Sequence, residues 1–305
     1  MISIFLNVVL PVFIVAGFGF ALARGFRFPI LPVNLVTLYV LMPAFIFTSL
    51  LSVDFTSAEP LKIALFAIVL TLLMLVVGLV VARALRLDRV TTSALLLTAA
   101  FPNLGNYGLS VILFAYGPPG LVVGTVLFSV QTLFALTLAI IIASSSTASP
   151  AGALGQVLRQ PASYAVVAAL AVNLGHITLP APITSAIALP AQAAIPVMLL
   201  VLGMQIAASR GVEEPRLVGA AIVTRLVIGT LVGWALALAL GIDGLARSVM
   251  IVGSAMPTAV FTTLTATQYN ARPRFVSDVV IAGTIASVVS VTVVLAILSG
   301  TFSLL

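Results

Sequence analysis

Two stretches of the sequence carry residues able to do chemistry away from water. FPNLGNYG, residues 101 to 108, sets a proline, two asparagines and two glycines in one short run, and AMPTAVFTT, residues 255 to 263, sets a proline ahead of a cluster of threonines. Each lies near the middle of a long apolar segment. Proline removes a backbone N–H and obstructs the carbonyl one turn back, so helices are expected to break at Pro102 and Pro257. A helix interrupted inside a bilayer offers unpaired N–H groups and half-helix dipoles, which can face an anion. Asn103 and Asn106 add amides that are costly in lipid unless a partner helix, a water-filled cavity or a ligand satisfies them. Thr258, Thr262 and Thr263 offer hydroxyls at the second break, and Phe261 can shape a cavity beside them. The chemistry implied is reversible binding of a small anion. The alternative is that Pro102 and Pro257 only kink packed helices, with Gly105 and Gly108 permitting close contact.

Other polar residues are candidates of lower rank. Gln131 lies deep in an apolar segment and either lines a site or bonds to another helix. Arg225 sits about two turns into its segment, where its charge would attract an anion, but a long basic side chain near a cytoplasmic end is expected to snorkel to headgroups instead. Glu59 and Lys62 flank the start of a segment and read as interfacial; His176 falls in a short loop and reads as solvated. Asp54, Asp88, Asp243 and Asp278 fall at segment ends, so none is expected to be a buried carboxylate. Enzymatic function is not expected: there is no Ser/His or paired-Asp arrangement, no HExxH and no cysteine. Glycine-rich phosphate loops are missing too, so neither a metal, a cofactor nor ATP is implied.

The elements that position these residues follow from composition. Of 305 residues, 62% are hydrophobic and 7% charged, too little polar surface to cover a soluble core. The net charge of +6 does not point to nucleic acid, because the basic residues stand in ones and twos between apolar runs. Hydropathy marks ten spans, at 2–23, 30–51, 61–82, 91–115, 121–143, 161–179, 187–208, 217–240, 246–268 and 276–299. Ten arginines, including Arg24, Arg83, Arg159, Arg210 and Arg272, fall in alternate loops, whereas the opposite loops hold only Lys62 and Arg247. Both termini are therefore expected outside a cell (inner) membrane. Residues 144–160, small and polar, read as a cytoplasmic linker between a first unit, 1–143, and a second, 161–305.

The two units resemble each other. LRLDRVTTSALLLTAAFPN, 85–103, and LGIDGLARSVMIVGSAMPT, 240–258, align without gaps at an offset of 155, matching Asp88 to Asp243 and Pro102 to Pro257. Five spans per unit is an odd number, so the second unit is inverted relative to the first, as in alternating-access transporters. The fold class expected is an all-α membrane protein of two inverted five-helix repeats.

FPNLGNYGL, the stretch from Ala255 to Asp278 and the ten-span layout resemble the auxin efflux carrier family, which includes plant auxin exporters and bacterial permeases for malate and related carboxylates. The resemblance covers essentially the whole chain. It implies a fold like that of sodium/proton antiporters and bile acid transporters, with spans four and nine crossing at their broken centres. Spans one, two, six and seven would form a scaffold, and spans three to five and eight to ten a moving transport domain. It further implies that Asn103 binds the substrate carboxylate beside a crossover made by Pro102 and Pro257. The residues themselves add Gly105 at the crossover, and Asn106, Gln131, Thr258, Phe261 and Thr262 as further candidates for the site. The chain departs from the family pattern in having Ser110 where a second proline is frequent, and Phe261 where many bacterial members have an asparagine. The expected function is export of a small carboxylate, malate-like or an indole acid, driven by membrane potential. Coupling to protons or sodium in the same fold is the alternative, and association as a homodimer is left open.

Overall fold

The computed structural model describes residues 2–144, 161–209 and 211–302. Almost all of the expected linker, with Arg159, lies outside the described residues, as does Arg210. The described chain is helical: α1 (Ile2–Gly25), α2 (Ile30–Leu51), α3 (Glu59–Ala84), α4 (Arg89–Ala100), α5 (Leu109–Ser144), α6 (Pro161–Leu174), α7 (Ala181–Ala207), α8 (Pro215–Ala239), α9 (Gly244–Ser254), α10 (Phe261–Gln268) and α11 (Pro273–Phe302). Single wider turns interrupt α1, α2 and α8 at Phe5–Val9, Thr37–Leu41 and Thr224–Ile228, and another, Leu104–Gly108, leads into α5.

Among the described residues, seven helices are long and apolar enough to cross a membrane, and α6 and α9 are shorter apolar helices. The difference from ten expected spans has local causes. α4 and α9 are short because their spans are interrupted, and α6 is short because its helix ends at Leu174, just before the chain turns through His176 at φ 50°. α5 joins the end of the fourth expected span to the fifth, with Gly117 at φ 66° and ψ −165° turning the chain just before Pro118 and Pro119. An L-residue rarely adopts that conformation, which explains glycine there.

Helix starts follow residue chemistry. Pro60, Pro182 and Pro215 stand in first turns, where a missing N–H costs nothing. Asp88 caps α4 by accepting from the Val90 and Thr91 N–H groups at 2.9 and 3.0 Å. Hydrogen bonding, first from the Thr91 hydroxyl and then from backbone N–H groups, holds the Asp88 carboxyl below the usual aspartate range.

The helices pack in two groups. In one, α7 lies along α1 and α2, and α6 lies along α2. A Cβ added at Gly19 would fall on the Leu200 backbone, and one at Gly203 on the Ala16 backbone, so α1 and α7 touch main chain to main chain as small residues allow in membranes. Asn173 ties α6 to the end of α2, its amide donating to the carbonyls of Leu50, Leu51 and Val53. In the other group α3 packs on α4, α5 and α8, α9 on α5, and α11 on α4, α8 and α10. Phe18, Val76, Val167, Leu189, Leu231 and Val289 stay exposed on the outside, as lipid-facing residues would.

Candidate functional site

The two breaks meet. After α4 the chain is extended at Phe101 and stays non-helical through Pro102 and Asn103, and after α9 it is non-helical from Ala255 to Val260. Pro102 and Thr258 form an antiparallel bridge. The Asn103 N–H donates to the Pro257 carbonyl at 2.6 Å, and the Ala259 N–H to the Phe101 carbonyl at 2.8 Å. Each break thus satisfies backbone groups of the other, which permits irregular backbone at this depth. This corrects the expectation that the N–H groups freed by the breaks are open to an anion: those of Asn103 and Ala259 are already paired.

The threonines of the second break are engaged too. Thr258 is buried and its hydroxyl donates to the Thr98 carbonyl at 2.8 Å; Thr262, also buried, donates to the Ala259 carbonyl at 2.6 Å. Both bonds close short structural gaps, and neither hydroxyl lies on the cavity described below.

Arg225 overturns the expectation that it snorkels. It is 1% exposed and is the largest of the wholly buried side chains among the described residues. Its guanidinium donates to the Ala99 carbonyl at 2.8 Å and to the Ser254 carbonyl, capping the last turns of α4 and α9 together. The physical reason is depth. The wider turn Thr224–Ile228 sits at the level of the breaks, and a cation with two carbonyls in reach is better placed there than stretched along a helix to distant headgroups. Gly229 makes the room: a Cβ there would sit 2.9 Å from Nη2.

Beside the crossover lies a cavity of about 130 Å³. Asn103, Asn106 and Gln131 reach it from the second packed group, and Thr132 stands next to Gln131. Asn34 of α2 and Gln205 of α7 complete its polar lining from the first group. Phe101 and Phe261, one from each break, contact at 5.6 Å between centroids and form part of the wall with Pro102, Gly105, Met42 and Phe128. Two amide atoms are buried without a partner: Nδ2 of Asn103 and Oε1 of Gln205. A buried polar atom left unpaired costs about 1 to 3 kcal/mol, and a ligand can remove that cost. The cavity therefore joins Asn103, Asn106, Gln131, Phe261, Pro102 and Gly105, and leaves out Thr258, Thr262 and Pro257. Asn34 and Gln205 were missed in the sequence, although a lone amide inside an apolar span is a usable signal.

The remaining candidates lie elsewhere. Glu59, Lys62 and His176 are exposed, with the Lys62 ammonium donating to the Gly241 carbonyl at 3.2 Å. Asp278 is a correction: it is 5% exposed, not open at a segment end. It pairs with Arg274 at 3.2 Å and accepts from the Glu213 N–H, because the segment preceding α8 folds over the first turns of α11; Arg272 pairs with Glu214 in the same place.

Residues 153–295 match a family described as membrane transport protein. No curated protein matches the chain. The matched region contains the second break, Arg225 and Gln205. Together with the apolar helices, this similarity indicates a multi-pass membrane transporter.

Proposed function

We propose that the chain is a secondary transporter of the auxin efflux carrier type, exporting a small carboxylate by alternating access. The observation that carries this reading is a cavity at the meeting point of two interrupted helices, lined by Asn103, whose buried Nδ2 has no partner. An amide N–H is a donor that suits a carboxylate oxygen; the unpartnered atom of Gln205, on the other packed group, is an oxygen, an acceptor that suits a hydroxyl or other donor of the same ligand. A ligand touching both groups is placed where relative movement of the groups would carry it across. On this reading α1, α2, α6 and α7 are the scaffold and the other helices the transport domain, in ten spans and two inverted repeats, 1–143 and 161–305. The linker 144–160 is then cytoplasmic and both termini lie outside the cell membrane.

The size of the cavity favours a substrate of few carbon atoms, since sites for drug-sized ligands run to about 300 Å³ or more. All seven acidic residues lie at or near helix ends, away from the cavity. The simplest cycle therefore moves the anion alone, and a potential negative inside drives it outward by about 2.3 kcal/mol per charge for each 100 mV. Proteoliposomes preloaded with labelled members of a panel of small mono- and dicarboxylates test this. Efflux of at least one should follow an imposed potassium–valinomycin potential and persist without sodium or a pH gradient. Efflux that ignores the potential and collapses without sodium or a pH gradient would overturn the uniport cycle; transport of no carboxylate would overturn the substrate class.

A further inference from the structure

Resting on that proposed function, we infer that Arg225 sets the charge preference of the site, by neutralising one pair of helix ends at the crossover and leaving the opposite pair to act on the ligand. Four helix ends converge there. α4 and α9 arrive with their C-termini, ending at Ala100 and Ser254, while α10 begins at Phe261 and the turn leading into α5 begins at Leu104. A helix end carries roughly half a charge, negative at the C-terminus and positive at the N-terminus. Two C-terminal ends side by side amount to about one negative charge, which would repel an anion from the crossover.

One guanidinium answers that charge in both sign and geometry. Arg225 reaches Ala99 and Ser254 simultaneously, and these two residues stand at the 155-residue offset of the aligned segments, so a single side chain from α8 closes equivalent ends. A fork of N–H donors can span two carbonyls, which a lysine ammonium cannot do with the same geometry. Arg225 is not part of the cavity wall; Leu104, Gly105, Val260 and Phe261, at the positive ends, are. The ligand therefore meets the N-terminal poles with the C-terminal poles cancelled behind them. Asn103, 4% exposed and with Nδ2 unpartnered, stands at that same place as a specific donor. Arg225 is thus a positioning and selectivity residue, acting through the helices it caps.

The test measures how binding distinguishes an anion from a neutral isostere. Malate and its neutral diamide are titrated against the purified full chain and against Arg225→Met and Arg225→Lys, each checked for monodispersity in detergent. In Arg225→Met the preference for malate over the diamide should fall by about tenfold or more, the scale of one uncompensated pair of helix ends. Arg225→Lys should keep the preference within about threefold, since the charge stays while one cap is lost. A purely structural role would weaken both ligands together and leave the preference unchanged in Arg225→Met, which overturns the inference. If Arg225→Met does not fold, Arg225→Lys decides: a preference lost despite the retained charge also overturns it. A parent chain that transports and binds other carboxylates but not malate is tested with the acid and amide of the carboxylate it does take. A parent that takes no carboxylate overturns the proposed function itself, whereas an unchanged preference in a carboxylate-binding parent overturns only the role of Arg225.

Discussion

At aligned positions of the two breaks stand Asn103 and Thr258, both buried and both polar, with different occupations. The Asn103 amide nitrogen has no partner and its residue lines a cavity, whereas the Thr258 hydroxyl is bound to the Thr98 carbonyl and its residue does not. Backbone pairing across the crossover joins both breaks, yet the Asn103 amide keeps an unpartnered donor while the Thr258 hydroxyl ties the second break to α4. Repetition of a local architecture does not repeat its chemistry. A buried hydroxyl beside an unpaired carbonyl is captured by it, while an amide with more hydrogen-bonding capacity than its surroundings can meet keeps a donor in reserve.

The largest effect expected from this contrast is on binding. Asn103→Ala should weaken carboxylate binding by about 1 to 3 kcal/mol, and Thr262→Ala, which alters only a bond to Ala259, should leave the dissociation constant within about twofold. Isothermal titration of both variants decides it, and equal losses would erase the distinction between the breaks. A smaller effect, of opposite selectivity, belongs to Thr258→Val: the lost bond to Thr98 should lower unfolding stability by about 0.5 to 1.5 kcal/mol while ligand affinity is retained. Thermal unfolding in detergent with and without ligand reads both quantities, and an affinity loss without a stability loss would place Thr258 in the site.

The smallest effect distinguishes the starts of α4 and α9. Asp88 caps α4, but Asp243, at the aligned position, makes no side-chain cap and pairs only with Arg247 at 3.6 Å, its side chain 85% exposed. An exposed pair of that kind contributes little. Asp88→Ala should lower the unfolding midpoint at neutral pH, and Asp243→Ala should not. The folded state holds the Asp88 carboxyl below its usual range, so its contribution is present above about pH 4 and is lost as the pH falls further and the carboxylate protonates. The midpoints of Asp88→Ala and the parent should therefore converge in acid. A difference that persists at low pH would mean that Asp88 acts by something other than its charge.

Much of this molecule was legible one residue at a time. Apolar runs marked the membrane-crossing helices, because about 20 residues of helix match the thickness of hydrocarbon whatever surrounds them. Pro102 and Pro257 marked the breaks, since loss of an N–H and a clash with the preceding turn are properties of proline itself. Asn103, Asn106 and Gln131 were recognisable as candidates because an amide in an apolar run is conspicuous anywhere. Partnership was not legible. Arg225 looked like a snorkelling side chain until α4 and α9 were seen to end on either side of it, and Asp278 looked open until the segment preceding α8 was seen to cover it. Thr258 looked like a ligand donor until Thr98, 160 positions away, was seen to accept its hydroxyl. Asn34 and Gln205 were seen to line the cavity only when α2 and α7 were set against the crossover. The sequence by itself determined where helices form, where they stop and which polar groups enter the bilayer, since these depend on solvent and local sterics. The tertiary structure alone decided which of those groups satisfy one another and which remain for a ligand, since in a low-dielectric interior a polar group's state is set by whatever distant part of the chain packs against it.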